Sequence, residues 1–378
     1  MRYLDYAGAC PVRPEIAGEY LHLCQQYCAN PHGLSKFGEF CRRAIQDCER
    51  RLLATLGIPE GEASVIWCSN ATEALNLAIT GFLALHPGRV LYDPTAHPAM
   101  LEPLQAAVGS GTALTAFGVT ATGKLQAGAA ARRGCGLLCV CHVNNETGVG
   151  QDLPALRQAE PGGERQPVLC VDAAQSYGKI AIPWYEANIG LLALSARKLG
   201  GPAGMGALVI RRGLSLRGQT LGGGQQHKLR SGTVDTVGVQ MFTAAAEISC
   251  RHQAREFARL QQLNQFLRTA LAALPPDFCH ALSPADAIPH ILCLSFPGRE
   301  GAIITRWLAE RKDLLVGSGS ACSAESPEPS HVLRAMGYSA AAARSGLRLS
   351  LGYATQQDDL EAFLAALPDL AAEYPLPS

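Results

Sequence analysis

The sequence predicts an α/β protein, with a mostly parallel sheet in a large domain followed by a smaller α/β C-terminal domain. Three observations carry this. Short apolar, strand-like runs alternate with longer Ala/Leu/Glu/Arg-rich segments, several of those runs close on a polar residue, and after one long helical stretch the pattern begins again. Strands are predicted over 65–68, 89–92, 136–142, 168–172, 189–194 and 207–211, and helices over 39–56, 72–83, 98–108 and 239–270. A strand at 290–296, a helix at 301–310, a strand at 314–316 and a C-terminal helix follow. The break near residue 255 suggests a large domain over 15–255 and a small one made of 1–14 and 256–378. The stretches 127–133 and 159–166 read as surface loops or helix ends.

Composition narrows the function. A chain of 378 residues, 48% hydrophobic and 17% charged, can bury a sizeable core and is not a disordered polymer. The formal net charge is zero, so no global field favours nucleic acid or an anionic membrane. No apolar run reaches the roughly 18–20 residues of a membrane span. The start, MRYLDYAGACPVRP, lacks a basic stretch followed by an apolar one, so a cytoplasmic protein is expected. The fourteen cysteines are scattered through apolar stretches without paired CxxC or HxxxH elements. They read as reduced, buried thiols with no metal site. Cys322 is the exception.

In open α/β sheets ligands gather at the carboxyl ends of strands. Asp172 closes the run PVLCVD, and is either the carboxylate beside a ring nitrogen or a cap for the next turn. Lys198 follows GLLALSAR. A lysine amine at a buried strand end is costly unless it does something specific, such as linking to a cofactor aldehyde as a Schiff base. Ser69-Asn70-Ala71-Thr72-Glu73 stands between a strand and a helix, either a phosphate site at the helix N-terminus or a plain cap. His97 opens another helix, to stack on a ring or to satisfy that helix start. Asn145 and Gln175 add hydrogen-bonding groups at neighbouring strand ends. Together these match the needs of a pyridoxal 5'-phosphate (PLP) enzyme.

The segment GSGSACSAESPEP surrounds Cys322 with small residues, acids and prolines, the composition of an exposed loop. Its thiol is either an accessible nucleophile or an incidental surface cysteine. Arg348, in SGLRLSLG, is either a two-pronged clamp for an amino-acid carboxylate or a surface ion pair.

Ten ordered blocks resemble the NifS/IscS-type cysteine desulfurases of the class V aminotransferase group: YLDYAGACPVRPE, NPHGLSKFG, CSNATEALNLAI, HPAMLEPL, HVNNETG, VDAAQSYGKI, LSARKLGGPAGMGAL, GGGQQHKLRSGT, SGSACSAESPEPSHVLRAMG and LRLSLG. The resemblance implies the type I fold of PLP-dependent transferases, with a seven-stranded, mostly parallel sheet. It implies that Lys198 is the Schiff-base lysine, Asp172 the partner of the pyridine nitrogen, Gln175 the ligand of the ring hydroxyl and His97 the stacking imidazole. Ala71, Thr72 and Ser195 match phosphate contacts, with Arg197 able to serve the phosphate. Thr233 resembles a phosphate contact given by the other subunit of a homodimer. Asn30, Asn145 and Arg348 match substrate-side positions, and Cys322 the persulfide cysteine of the long-loop group I branch.

The implied reaction converts L-cysteine to L-alanine and leaves sulfur on Cys322 for an acceptor protein. Iron–sulfur assembly, tRNA thiolation and DNA phosphorothioation all draw on such enzymes, and selenocysteine is a further possible substrate. A cysteine or cystine C–S lyase, an aminotransferase and a non-catalytic sulfur-pathway platform are the alternatives on the same scaffold. The chain departs from the family pattern at Arg197, where histidine is usual, and at Tyr6 and Cys10, which replace an asparagine and a threonine. These departures put the substrate pocket in question.

Overall fold

The computed structural model describes residues 1–128, 132–157, 166–318 and 328–374. Parts of the expected loops 127–133 and 159–166, and Cys322 itself, lie outside the described residues.

Among the described residues there are fourteen strands: β1 (Arg2–Leu4), β2 (Ala63–Cys68), β3 (Arg89–Tyr92), β4 (Ala113–Ala116), β5 (Gly118–Val119), β6 (Leu125–Gln126), β7 (Cys135–Cys141), β8 (Val168–Asp172), β9 (Ile189–Ser195), β10 (Gly206–Arg211), β11 (His280–Ala281), β12 (Ile291–Ser295), β13 (Leu314–Ser318) and β14 (Gly346–Ser350). Seven form the main sheet in the order β2-β10-β9-β8-β7-β3-β4. The pairs β3–β4, β3–β7, β7–β8 and β8–β9 are parallel, and β10 runs antiparallel to both of its neighbours. The mostly parallel seven-stranded sheet expected from the sequence is therefore present, with one reversed strand.

Its central strands are buried on both faces, so they read as unbroken apolar runs; every residue of β9 is buried. One face packs Trp67, Val140, Val171, Leu192 and Val209 under the helices Lys36–Thr55 and Thr236–Ala272. The other packs Ile66, Cys139, Cys170, Leu191 and Leu208 under Ala71–Leu83 and Pro98–Val108. Of the thirteen described cysteines, all free thiols, ten are buried in such places, as the scattered spacing predicts.

A second sheet, β1-β13-β14-β12-β11, packs its apolar face on Gly301–Lys312 and Gln357–Glu373. The chain start reaches it because Arg2, Tyr3 and Leu4 pair in parallel with Leu314, Leu315 and Val316. The helix Thr236–Ala272 runs without interruption past residue 255, giving Phe242 and Ala246 to one core and Leu260, Leu267 and Leu271 to the other. No helix among the described residues is long and apolar enough to cross a membrane.

Candidate active site

Because β2, β3, β7, β8 and β9 share one direction, their carboxyl ends open on the same edge of the sheet. A cavity of about 610 Å³ lies there, bounded also by the first turn of the chain and by Arg348 of the second sheet. That is an ordinary size for a small-molecule site. Ala71, Thr72, His97, Asn145, Asp172, Gln175, Ser195, Arg197, Lys198 and Arg348 all line it. Thr233 and Asn30 are exposed and outside the lining.

Each side chain is set by its local chemistry. Asp172 ends β8 and is buried; one carboxylate oxygen accepts from the Ala174 N–H at 2.9 Å. Burial raises its pKa, opposed by that hydrogen bond and by the Lys198 charge. Lys198 ends a 3₁₀ turn after β9, and the chain then reverses through Gly200, whose φ of +78° suits glycine. The Lys198 amine donates to the Ala7 carbonyl at 2.8 Å and to that of Gly8.

Asn70 caps the helix Ala71–Leu83, its side chain accepting from the Glu73 N–H at 2.9 Å. Ala71 and Thr72, whose N–H groups stand in the first turn and have no intrahelical partner, line the cavity. Beside them β10 begins at Gly206, where an added Cβ would stand 2.4 Å from the Asn70 carbonyl carbon. Only glycine lets this strand approach the cap so closely.

His97 performs both tasks that its position allows. Its Nδ1 accepts from the Ala99 N–H at 3.0 Å, capping Pro98–Val108, while its ring borders the cavity. Burial, aided by the Lys198, His331 and Arg348 charges, lowers its pKa to about 4, so the ring is neutral. Asp93, after β3, holds the approach to His97 by accepting from the Thr95 N–H and hydroxyl at 2.8 and 2.6 Å.

Arg348 is 1% exposed and is no surface ion pair. Its Nη2 donates to Asp5 Oδ1 at 2.7 Å and its Nη1 to the Asn145 carbonyl at 2.9 Å. Its Nε is buried without a partner among the described residues. Such a donor is expensive to leave unmet, and Arg348 lines the cavity, where a guanidinium suits an anionic oxygen of a ligand.

These residues fit PLP and an amino acid. The helix start with Ser195 and Arg197 suits a phosphate, Asp172 a protonated ring nitrogen, Gln175 a ring oxygen and the neutral face of His97 the ring itself. The departures at Tyr6 and Cys10 do not touch this cavity. Both line a separate space of about 60 Å³ behind Lys198, where Tyr6 packs edge-on to Tyr3 and Tyr353. Arg197 does line the main cavity, with its side chain exposed.

Sequence reasoning assigned no role to Asp5, to the carbonyls of Ala7 and Gly8, or to Lys179, which donates to Gln175 Oε1 at 2.9 Å. It also passed over Glu146, a buried carboxylate bonded to Ser330 Oγ at 2.5 Å, whose pKa burial raises to about 7. Among the described residues no cluster of His, Cys, Asp or Glu suits a metal ion.

The aminotransferase class-V family matches residues 2–363. A cysteine desulfurase of Frankia sp. (strain EuIK1) is 35% identical, covering 95% of this chain and 88% of that protein. A solved structure of a NifS-like protein superposes with a TM-score of 0.89 at 22% identity, covering 99% of this chain and 100% of the other. One described as SspA in complex with cysteine superposes with a TM-score of 0.77 at 28% identity, covering 93% and 99%. With the strand ends, the lysine and the arginine arranged as above, the chain belongs to the class-V aminotransferase family, among its cysteine desulfurases.

Proposed function

We propose that this protein uses PLP to convert L-cysteine to L-alanine and transfers the sulfur to Cys322 as a persulfide. The observation that carries the reading is the convergence of Lys198, Asp172 and Arg348 on one cavity. An anchoring amine, a buried carboxylate and a guanidinium with one unmet donor are there together.

PLP, when bound, supplies an electron sink for the pair released at the substrate α-carbon. Asp172 would keep the ring nitrogen protonated, and Gln175 would donate to the ring oxygen. The Ala71 and Thr72 N–H groups, Ser195 and Arg197 would hold the phosphate, with Thr233 of a second copy completing the site in a homodimer. Arg348 clamps the substrate carboxylate, with Asn145 beside it and Asn30 on the substrate side. Lys198 Nζ takes the α-proton and returns it to the substrate skeleton. The Cys322 thiolate then attacks the substrate sulfur: one S–S bond forms, the C–S bond breaks, and that electron pair stays with the carbon skeleton that becomes alanine. The persulfide sulfur passes to an acceptor protein in the cytoplasm.

The test is Cys322→Ser with alanine, sulfide and pyruvate all measured. The proposal requires loss of both alanine and protein-bound persulfide. Alanine and sulfide at the parent rate would sink it, and pyruvate with ammonia would mark a lyase.

A further inference from the structure

Gln175 and Lys179 lie four residues apart in a turn held by Tyr177 N–H to Ala173 O and Lys179 N–H to Ser176 O, at 2.9 and 3.0 Å. Their side chains meet. Lys179 Nζ donates to Gln175 Oε1 at 2.9 Å, and Gln175 Nε2 donates to the Ala7 carbonyl at 2.9 Å. The opposite amide orientation would set carbonyl against carbonyl and NH₂ against ammonium, so these two contacts fix which end of the amide faces which way. Ala7 O also accepts from Lys198 Nζ, which ties the amide to the lysine of the site. Gln175 is anchored from behind as well, its own carbonyl lying 3.1 Å from His290 Nε2.

Lys179 does not line the main cavity; it lines the smaller one behind Lys198. Cys10, Lys198, Arg348 and His290 are the ionisable groups around it. The residue is half-buried, yet its amine is inside, and burial lowers its pKa to about 7. An amine buried in such a place at a cost, with Gln175 as its side-chain hydrogen-bond partner among the described residues, is there for that partner.

We propose that Lys179 is a positioning residue that pins Gln175 Oε1, so that the second Nε2 hydrogen faces the cavity and donates to the ring oxygen of the cofactor. This rests on the reading of Gln175 given above. An N–H donated to that oxygen favours its ionised form, so losing the donor moves the titration of the cofactor's visible absorption band to higher pH.

The experiment is that titration, by absorbance of the holoenzyme, for the parent, Lys179→Met, Lys179→Arg, Gln175→Ala and the double variant Lys179→Met/Gln175→Ala. Lys179→Met is expected to raise the midpoint by about half a pH unit or more, the size of one charge-assisted contact. Lys179→Arg restores it, and the double variant matches Gln175→Ala alone. A Lys179→Met shift that persists in full on the Gln175→Ala background would mean that bare charge acts, and the proposal falls. It also falls if Gln175→Ala moves the band and Lys179→Met does not. A fixed midpoint in Gln175→Ala would instead overturn the reading of Gln175 and, with it, this one. Lys179→Gln, too short to span the gap, repeats the test should the methionine variant fail to load cofactor.

Discussion

Arg348 and Asp5 form a 2.7 Å ion pair that joins the strand β14 to the turn following β1, and the guanidinium is 1% exposed. Asp5 holds Nη2 and the Asn145 carbonyl holds Nη1, so the fork of a residue that lines the cavity is locked in one orientation.

Arg348→Lys keeps the charge and loses the fork. A hydrogen bond to a charged group is worth about 1.5–3 kcal/mol, so the KM for L-cysteine should rise roughly 10- to 100-fold, with kcat changed less. Asp5→Asn, which frees the fork without removing it, should fall between that variant and the parent. Initial rates of alanine formation against cysteine concentration decide this.

His97 caps a helix and faces the cavity, and two substitutions separate those tasks. His97→Asn retains a capping oxygen and loses the ring; it should melt like the parent while binding PLP at least about tenfold more weakly. His97→Phe retains the flat face and loses the acceptor. About 1 kcal/mol of stability should go, with cofactor affinity nearly kept. Chemical denaturation and fluorescence titration with PLP supply the two readouts.

Glu146 gives a pH signature. Its pKa is about 7 in the fold against an ordinary 4.5, so the folded protein holds this proton more tightly than the unfolded chain does. The stability from this group is complete below about pH 4.5 and is lost as pH rises through 7. Glu146→Gln is neutral throughout and can still accept from Ser330. The variant should therefore gain on the parent between pH 5 and 8, by on the order of 2–3 kcal/mol. Urea melts of both proteins across that range give the difference, and parallel curves would contradict it.

Gly206→Ala sets a methyl group against the Asn70 backbone at 2.4 Å. Backbone cannot swing aside, so the substitution should cost about 1–3 kcal/mol and disturb the helix start that faces the phosphate. A lower melting temperature and weaker PLP binding should appear together; a lower melting temperature alone would place the damage elsewhere.

The sheet and most of the site were legible in the sequence for one reason. A parallel strand buried on both faces is a run of apolar residues, and the polar residue that ends it stands out; Asp172 after VLCV and Lys198 after GLLALSAR are the clearest cases. The strands β1 and β4 were too short for any pattern, and the helix Pro14–Gln26 buries only Ile16, so its periodicity is faint. The contribution of Ala7 and Gly8 could not be read at all, because it is made by backbone carbonyls that no side chain advertises. Lys179 was hidden because its contact depends on a turn instead of a helix, and Arg348 looked ambiguous until its burial was known.

The pairing of β1 with β13 also sets an order of assembly. Arg2–Leu4 find their sheet partner, Leu314–Val316, far later in the chain, so this pairing closes only after that later segment has been made. The turn whose carbonyls receive Lys198 and Gln175 is held from two sides, by this pairing and by the Cys10 N–H, which donates to the Arg197 carbonyl at 3.1 Å. The strands of the main sheet, β2 to β10, all precede β13 in the chain, so the reactive centre is completed only after the sheet beneath it has been made. A truncated or stalled chain would thus carry the cavity walls without a competent catalyst inside them.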